Sequence, residues 1–283
     1  MNCMVFGSSG LVGRQLIPLL QEKYTVLTVG RQSGNSWIIN LENEWSSDTF
    51  PNRIDSVIYL AQSEKFHDFP QFAESIFRVN TLSLLKALDY ARRAGAQIFV
   101  YTSTGGVYAK SDEPLKEETD LSLSGELRYY VSTKICGEIL AENYNSFMNV
   151  VILRPFFIYG PGQRKEMLIP RLVERVRNGQ PIQLIGENGL YINPIYVDDA
   201  AYAIRQALTL DKSYKINIAG SEILSIRQIG ELIGQALGKD VIFEQKSGTS
   251  DQIIGSIEKM CQLLWRPRIT FAEGLQRYIN SIS

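Results

Sequence analysis

A tyrosine and a lysine four residues apart are the side chains in this sequence best suited to proton transfer. Tyr130 and Lys134 stand at the start of a predicted helix over about 130–144, and a separation of four places both on one face. A nearby ammonium favours the phenolate and lowers the tyrosine pKa from its ordinary value of about 10. The pair therefore predicts a tyrosine that serves as acid and base near neutral pH. The neighbouring Tyr129 has Thr133 four residues on and lacks such a partner.

A glycine-rich turn near the N-terminus predicts a phosphate-binding site. It lies between an apolar run of strand length at 3–6 and a predicted helix at 12–22. Glycines allow a tight turn and a close approach of the backbone to a pyrophosphate, whose charge the helix N-terminus meets. The spacing is Gly-x-x-Gly-x-x-Gly, whereas many dehydrogenases have Gly-x-Gly-x-x-Gly. The residues expected to contact the cofactor in this turn are Gly7, Ser9, Gly10, Leu11, Val12 and Gly13.

The residues after the second predicted strand bear on which dinucleotide binds. An acidic residue at the end of the second strand binds the adenosine ribose hydroxyls of NAD, whereas an arginine there accommodates the 2′-phosphate of NADP. Here Gly30 and Arg31 stand at that position, and a guanidinium can bind a phosphate through two parallel hydrogen bonds. The sequence thus favours NADP as cofactor, with NAD as the alternative.

Short apolar runs alternate along the chain with longer amphipathic ones, the pattern typical of βαβ units. The predicted fold class is α/β, a doubly wound parallel sheet of the Rossmann type, with a smaller C-terminal substrate-binding region. Strands are predicted at 3–6, 25–29, 56–60, 98–102 and 150–153, and a long helix over 72–94 ends at Gly95.

The texture of the sequence changes after Pro155, where turn-forming residues cluster at 159–162 and again at 179–181. We expect a dinucleotide-binding domain over 1–162 and a smaller, partly interleaved substrate-binding domain over 163–283. Segments around 190–220 are expected to pack back onto the first domain. Helices are predicted at 167–177, 199–208, 226–237 and 271–279, with a strand at 216–218.

Composition excludes several classes of protein. The charges of 29 Lys and Arg and 30 Asp and Glu sum to −1 without a long run of one sign, so neither nucleic acid nor a membrane is expected as a partner. Three distant cysteines do not suit a disulfide framework, and the N-terminal residues do not read as a signal peptide, so the expected location is cytoplasmic. One histidine, His67, cannot build a zinc site alone, and no metal is expected.

The order of the motifs resembles the extended short-chain dehydrogenase/reductase superfamily, specifically its NAD(P)-dependent family of nucleotide-sugar epimerases and dehydratases. The resemblance covers nearly the whole chain. Besides the glycine turn and the Tyr130 and Lys134 pair, the motifs that carry it are Thr102-Ser103-Thr104-Gly105-Gly106-Val107-Tyr108, Arg154-Pro155, Tyr159-Gly160-Pro161-Gly162-Gln163 and Tyr196-Val197-Asp198-Asp199-Ala200.

The resemblance implies a catalytic trio of Thr104, Tyr130 and Lys134, with Ser103 as the near alternative to Thr104. It implies a nucleotide-sugar substrate that contacts Thr104, Tyr130, Phe157 and Arg164. It also implies a homodimer built from the helices at about 72–94 and 128–146. The further residues expected at the cofactor are Asn40, Leu41, Leu60, Ala61, Asn80, Thr102 and Pro155.

Departures from the family pattern narrow the reaction. The 4,6-dehydratases of the family carry Asp-Glu after the catalytic hydroxyl residue, whereas Gly105-Gly106 stand here. A family arginine that contacts the nucleotide diphosphate is replaced by Ile192, so that Arg164, Arg266 or Arg268 would have to substitute.

The reaction expected from the sequence is reduction of a 4-keto-(6-deoxy)hexose nucleotide by hydride transfer, with the tyrosine as acid. Because the motif residues are common to both reactions, a nucleotide-sugar 4-epimerase with retained NAD is the first alternative. A reductase of small carbonyl compounds and a non-catalytic NADP-binding regulator are the others.

Overall fold

The structure, a computed structural model, describes residues 1–123, 125 and 127–282. Its strands are β1 (Asn2–Phe6), β2 (Thr25–Gly30), β3 (Trp37–Ile38), β4 (Ser56–Tyr59), β5 (Ile98–Thr102), β6 (Asn149–Pro155), β7 (Ile158–Tyr159), β8 (Ile182–Ile185), β9 (Tyr191–Ile192), β10 (Ile195–Tyr196), β11 (Tyr214–Ile218), β12 (Leu224–Ser225), β13 (Phe243–Lys246) and β14 (Gln252–Ile253).

The helices flank this set of strands. They are α1 (Leu11–Gln21), α2 (Ala73–Phe77), α3 (Ser83–Arg93), α4 (Arg128–Glu142), α5 (Leu168–Arg177), α6 (Val197–Ala207), α7 (Ile226–Leu237), α8 (Glu258–Leu263) and α9 (Phe271–Ser281). A π-helical turn, Arg78–Leu82, joins α2 to α3, and a short 3-10 turn, Gly105–Val107, follows β5.

Seven strands form one parallel sheet in the order β11-β6-β5-β4-β1-β2-β3. Alternate residues of β1 point to opposite faces, as the period of a strand requires. Met4 and Phe6 pack on the face covered by α3 and α4, whereas Cys3 and Val5 pack against α1 and α6. Helices on both faces of a parallel sheet confirm the predicted doubly wound α/β fold.

The predicted long helix is interrupted in its first half. The apolar spacing over 72–94 continues through the π-helical turn, so periodicity alone predicts one uninterrupted helix. The structure instead has α2, the π turn and α3 in succession, and Asn80 lies buried within the turn. π turns occur often beside functional sites.

A third apolar core lies in the C-terminal region, among α5, α7, α9 and β8. Other parts of the same region join the main sheet: β11 is its edge strand, α6 packs on α1, and Met260 of α8 lies in the core between them. The division into two domains at residue 162 stays a prediction.

The carboxyl ends of the parallel strands meet at one edge, where ligands bind in open α/β sheets. The glycine turn follows β1, and the loops after β2 and β4 flank it, because β2 and β4 are the two neighbours of β1. The loop after β5 and the start of α4 lie beyond β4 on the same edge. This arrangement places the glycine turn next to the residues predicted to transfer protons.

Candidate active site

The glycine turn leaves the start of α1 open to an anion. Gly10 is the N-cap residue in an extended conformation, and within the described part of the chain no side chain caps the helix. The first turn also has no acidic residue, and Leu11 and Val12 occupy it half-buried. A Cβ atom on Gly13 would lie 2.3 Å from the Ser8 carbonyl oxygen, so only glycine allows this close packing. The free N–H groups and positive helix end fit the pyrophosphate of a dinucleotide.

Tyr130 is buried at the N-terminal end of α4, and its hydroxyl donates a hydrogen bond to Gln62 Oε1 at 3.1 Å. The Phe66 ring packs against the tyrosine ring with centroids 5.1 Å apart. Burial raises the pKa of Tyr130 to about 12, while the Thr104 hydroxyl beside it acts in the opposite direction. Tyr130 is therefore protonated at neutral pH in this state, ready to donate a proton.

Lys134 is fully buried beside the Tyr130 ring, and its hydrogen bond is to the backbone. Its ammonium donates a hydrogen bond to the Thr102 carbonyl oxygen at 2.8 Å, and Nζ lies 5.9 Å from the centroid of the Tyr130 ring. Burial lowers the pKa of Lys134 to about 7, with the Glu138 carboxylate acting in the opposite direction.

The expectation that Lys134 lowers the pKa of Tyr130 is wrong for this state of the protein. Desolvation disfavours both charged forms, the phenolate and the ammonium, and it is the largest cause of both pKa shifts. The two groups nevertheless share one face of α4, as their spacing predicts.

Thr104 and Ser103 stand in different surroundings after β5. The Thr104 hydroxyl accepts a hydrogen bond from the Gly106 amide at 3.2 Å and lies beside Tyr130. The Ser103 hydroxyl is buried and has no hydrogen-bond partner among the described residues. Thr104 therefore shares the site with Tyr130, which favours it over Ser103 for binding the reacting oxygen.

Close packing against Phe156 explains why a glycine follows Thr104. A Cβ atom on Gly105 would lie 2.6 Å from carbon atoms of the Phe156 ring, so a side chain does not fit there without moving that ring. The site thus lacks room for the acid that a dehydratase of this type carries at position 105.

A buried ion pair joins α4 to strand β6 of the sheet. Arg154 on β6 binds both carboxylate oxygens of Glu138, with Nε to Oε1 at 3.0 Å and Nη2 to Oε2 at 2.6 Å. Its third nitrogen donates to the Glu117 carbonyl oxygen at 3.1 Å, and the guanidinium stacks 4.7 Å from the Tyr108 ring centroid. This bidentate geometry fixes α4 against the sheet one turn beyond Lys134.

The loop after β4, residues 61–68, contacts Tyr130, one of the side chains expected to be catalytic. Ala61 is buried, and the Leu60 amide donates to the Phe6 carbonyl oxygen at 2.9 Å. Asn80 is bonded at both ends of its amide: Oδ1 accepts from the Ser63 amide at 2.9 Å, and Nδ2 donates to Thr133 Oγ1 at 3.0 Å. Asn80 therefore ties the 61–68 segment to α4.

The residues predicted at the adenosine end of the cofactor lie on the far side of the glycine turn. The exposed Asn40 accepts a hydrogen bond from the Glu42 amide at 3.1 Å, and Leu41 is buried in the core. Arg31 forms an ion pair with Glu64 of the 61–68 segment. The Ser9 carbonyl oxygen accepts from Arg14 Nε at 2.9 Å.

Of the residues expected to contact the substrate, Phe157 lies between β6 and β7, and Arg164 follows β7. Phe157, just after β6 and Pro155, has a φ of 42°, a left-handed conformation that is strained for a bulky residue and typical of functional sites. Arg164 Nη1 donates to the Glu64 carbonyl oxygen at 3.0 Å, next to the 61–68 segment. Arg268 instead stacks on Trp265, whose ring packs on Tyr202 of α6. Among these two arginines, Arg164 is the one beside the catalytic loop.

Sequence reasoning missed Gln62, Glu64 and Phe66. All three lie within the five residues after Ala61, so their place at the carboxyl end of a strand beside β1 is the sequence feature that could have indicated them. Their partners Tyr130, Arg31 and Arg164 are distant in sequence, and the spacing of residues does not indicate such contacts.

The family model for the "NAD dependent epimerase/dehydratase family" matches residues 3–219. The chain belongs to this family. The relatives in this family support an enzyme of the short-chain dehydrogenase/reductase type.

Two curated relatives differ in their reactions. The UDP-glucuronate 4-epimerase of Thermodesulfobacterium geofontis is 29% identical over 208 residues, which are 71% of this chain and 64% of that protein. The dTDP-4-dehydro-6-deoxyglucose reductase of Escherichia coli is 28% identical over 246 residues, 82% of this chain and 76% of that one. The chain thus spans less than two thirds of the first of these relatives.

The fold is similar to that of a solved epimerase along the whole chain. UDP-glucuronic acid 4-epimerase from Bacillus cereus, solved with UDP-glucuronic acid and NAD, superimposes with a TM-score of 0.86. The identity is 24%, and the match covers 100% of this chain and 99% of that one. The likeness shows that the two proteins share a fold.

Among the described residues, no three His, Cys, Asp or Glu side chains gather where they could hold a metal ion. No helix in that part of the chain is both long and apolar enough to cross a membrane.

Proposed function

We propose that this protein is an NAD-dependent 4-epimerase of a nucleoside-diphosphate hexose. The observation that carries the proposal is the convergence of Tyr130, Thr104 and Gln62 at one point beside the glycine turn, where a nicotinamide bound there would meet a sugar. The neighbouring epimerases that bind NAD support the choice of reaction, and Arg31 supports NADP less strongly now that Glu64 occupies it.

The residues of the site divide the proton chemistry among them. A bound NAD supplies hydride acceptance and return at the sugar carbon. The Tyr130 phenolate takes the proton of the sugar 4-hydroxyl when the carbon is oxidised, and the resulting Tyr130 hydroxyl gives the proton back when the carbon is reduced. Thr104 holds the same oxygen by a hydrogen bond, and its hydroxyl acts to lower the pKa of Tyr130. Lys134, on the same face of α4, would bind the nicotinamide ribose.

The absence of room at position 105 supports epimerisation over dehydration. Elimination of water from a hexose needs a second acid and base, and Gly105 cannot be replaced without moving Phe156. The 4-ketoreductase is the second candidate, because Arg31 follows β2 where a 2′-phosphate would lie and a curated relative is such a reductase.

The choice between the two reactions is open to a direct assay. Purified protein is incubated with UDP-glucose or UDP-glucuronate and NAD, and in parallel with a dTDP-4-keto-6-deoxyhexose and NADPH. We expect the C4 epimer in the first mixture by proton NMR, without net change in reduced nicotinamide absorbance. Stoichiometric loss of NADPH in the second mixture, with no epimer in the first, would instead establish the reductase.

We also propose a homodimer and a cytosolic location. The three cysteines, all in the described part of the chain, are free thiols, as in proteins of reducing compartments. Ile139 of α4 and Phe77 of α2 are exposed apolar side chains on helices that the resemblance assigns to a dimer interface.

A further inference from the structure

The ion pair between Arg31 and Glu64 spans the glycine turn. Arg31 is the first residue after β2 and Glu64 lies in the loop after β4, and these are the two strands on either side of β1. On one side of the turn, a Cβ atom on Gly7 would lie 2.8 Å from the Ala61 amide nitrogen. On the other side, the Ser8 hydroxyl donates to Asn35 Oδ1 in the loop after β2.

The ion pair therefore joins two loops across the place where a pyrophosphate would lie. Both side chains are about half exposed, at 50% for Arg31 and 58% for Glu64. Exposed ion pairs of this kind contribute little to folding stability. Its position over the cleft points to a role in ligand binding.

We propose that Glu64 selects NAD over NADP, by occupying Arg31 and by placing a carboxylate beside the adenosine ribose. The inference rests on the proposed function only in that a dinucleotide binds at the glycine turn. Arg31 alone is the feature by which the sequence favours NADP, and Glu64 reverses that preference.

Two physical effects act against a 2′-phosphate. The guanidinium already has a carboxylate partner, so a 2′-phosphate has to displace Glu64 before it can bind Arg31. A displaced Glu64 then stands near a group that carries roughly −1.5 to −2 charges, and like charges at short range repel. The ribose hydroxyls of NAD are uncharged and meet neither effect.

Glu64 cannot easily move away, because its backbone is held on both sides. The Ser63 amide is bonded to the buried Asn80, and the Glu64 carbonyl oxygen accepts from Arg164 at 3.0 Å. The next residue, Lys65, forms an ion pair with Glu42 at 3.0 Å. These bonds hold the backbone of Glu64 beside the cleft, so a carboxylate displaced from Arg31 remains close to the bound phosphate.

The test is a fluorescence titration of the full-length protein with NADH and with NADPH. It uses the wild type, Glu64→Gln, Arg31→Ala and the double variant. Glu74→Gln is the matched control, because Glu74 also forms an exposed ion pair with an arginine, Arg78, outside the cleft. Thermal melting checks that each variant folds, and Glu64→Ala provides a second removal of the charge.

We expect the wild type to bind NADH more tightly than NADPH. Glu64→Gln should tighten NADPH about tenfold, equivalent to about 1.4 kcal/mol, and change NADH less than about twofold. In the Arg31→Ala background, Glu64→Gln should tighten NADPH binding by clearly less than tenfold. The control Glu74→Gln should bind NADH and NADPH as the wild type does.

A wild type that prefers NADPH, or a Glu64→Gln variant with an unchanged NADPH to NADH ratio, overturns the inference. Failure to bind either dinucleotide overturns both this inference and the proposed function. Binding as expected without turnover of any nucleotide sugar overturns only the proposed function. The two ideas therefore fail in distinguishable ways.

Discussion

Tyr130 is buried with its hydroxyl facing Gln62 and Thr104, whereas the adjacent Tyr129 donates its hydroxyl to the Ala73 carbonyl oxygen at 2.9 Å. This contrast provides a matched pair of substitutions. Tyr130→Phe removes the proton donor and should lower kcat by about 10²- to 10⁴-fold, with cofactor binding retained. Tyr129→Phe should keep kcat within about threefold of the wild-type value, because this substitution removes only one ordinary hydrogen bond. Equal losses in both variants, measured by NMR turnover, would contradict the role of Tyr130.

Lys134 makes stability depend on pH in a way that a neutral side chain does not. Burial lowers its pKa to about 7 in the folded protein, against 10.5 without burial. Between these values the unfolded chain binds a proton that the folded chain lacks, so the free energy of unfolding rises with pH. Relative to Lys134→Met, the wild type should gain roughly 1 to 2 kcal/mol between pH 7 and 9.

Urea unfolding of both proteins at the two pH values measures this difference, and all other titrating groups cancel between them. Parallel stability curves would mean that the ammonium stays charged in the folded protein.

At the scale of elements, Asn80 in the π-helical turn connects the 61–68 segment to α4. Asn80→Ala leaves the Ser63 amide and the Thr133 hydroxyl without this partner in a buried place. We expect a loss of about 1–3 kcal/mol in the free energy of unfolding. Asn143→Ala is the control, because Asn143 makes one exposed side-chain bond at the end of α4 and should cost less than about 0.5 kcal/mol. A neutral Asn80→Ala variant in urea unfolding would show that this link does not stabilise the fold.

The accuracy of the predicted elements follows their length. The five strands predicted in the first part of the chain are β1, β2, β4, β5 and β6. Their apolar runs identified them, because the strands of a parallel sheet covered on both faces consist mostly of apolar residues. The strands of two residues, such as β9 and β12, were missed because they are too short to show a period. The π turn was missed because its apolar residues continue the helical spacing.

At the scale of the whole molecule, the motifs located Tyr130 and Lys134 but not Gln62 or Glu64. The first two share a helix, so their separation of four fixes their common face. The others meet their partners through strand order, and Tyr130 and Gln62 are 68 positions apart. The pKa of Tyr130 was also beyond reach, because it depends on burial that only the packed structure defines.

The proposed dimer is tested by introducing a charged side chain into its expected interface. Ile139 is 55% exposed on α4, and a buried carboxylate without a partner disfavours association. Sedimentation should give a dimer for the wild type and a monomer for Ile139→Glu at micromolar concentration. A wild-type monomer at that concentration would rule the dimer out.

The proposed reaction is tested most directly by following the hydrogen at C4 of the sugar. UDP-glucose or UDP-glucuronate labelled with deuterium at C4 is incubated with the NAD-loaded protein, and the products are analysed by NMR and mass spectrometry. The proposal predicts the C4 epimer with the deuterium still at C4, because the hydride returns to the same molecule. Loss of the label to an external cofactor pool, or reduction of a 4-keto sugar by NADPH without any epimer, would contradict it.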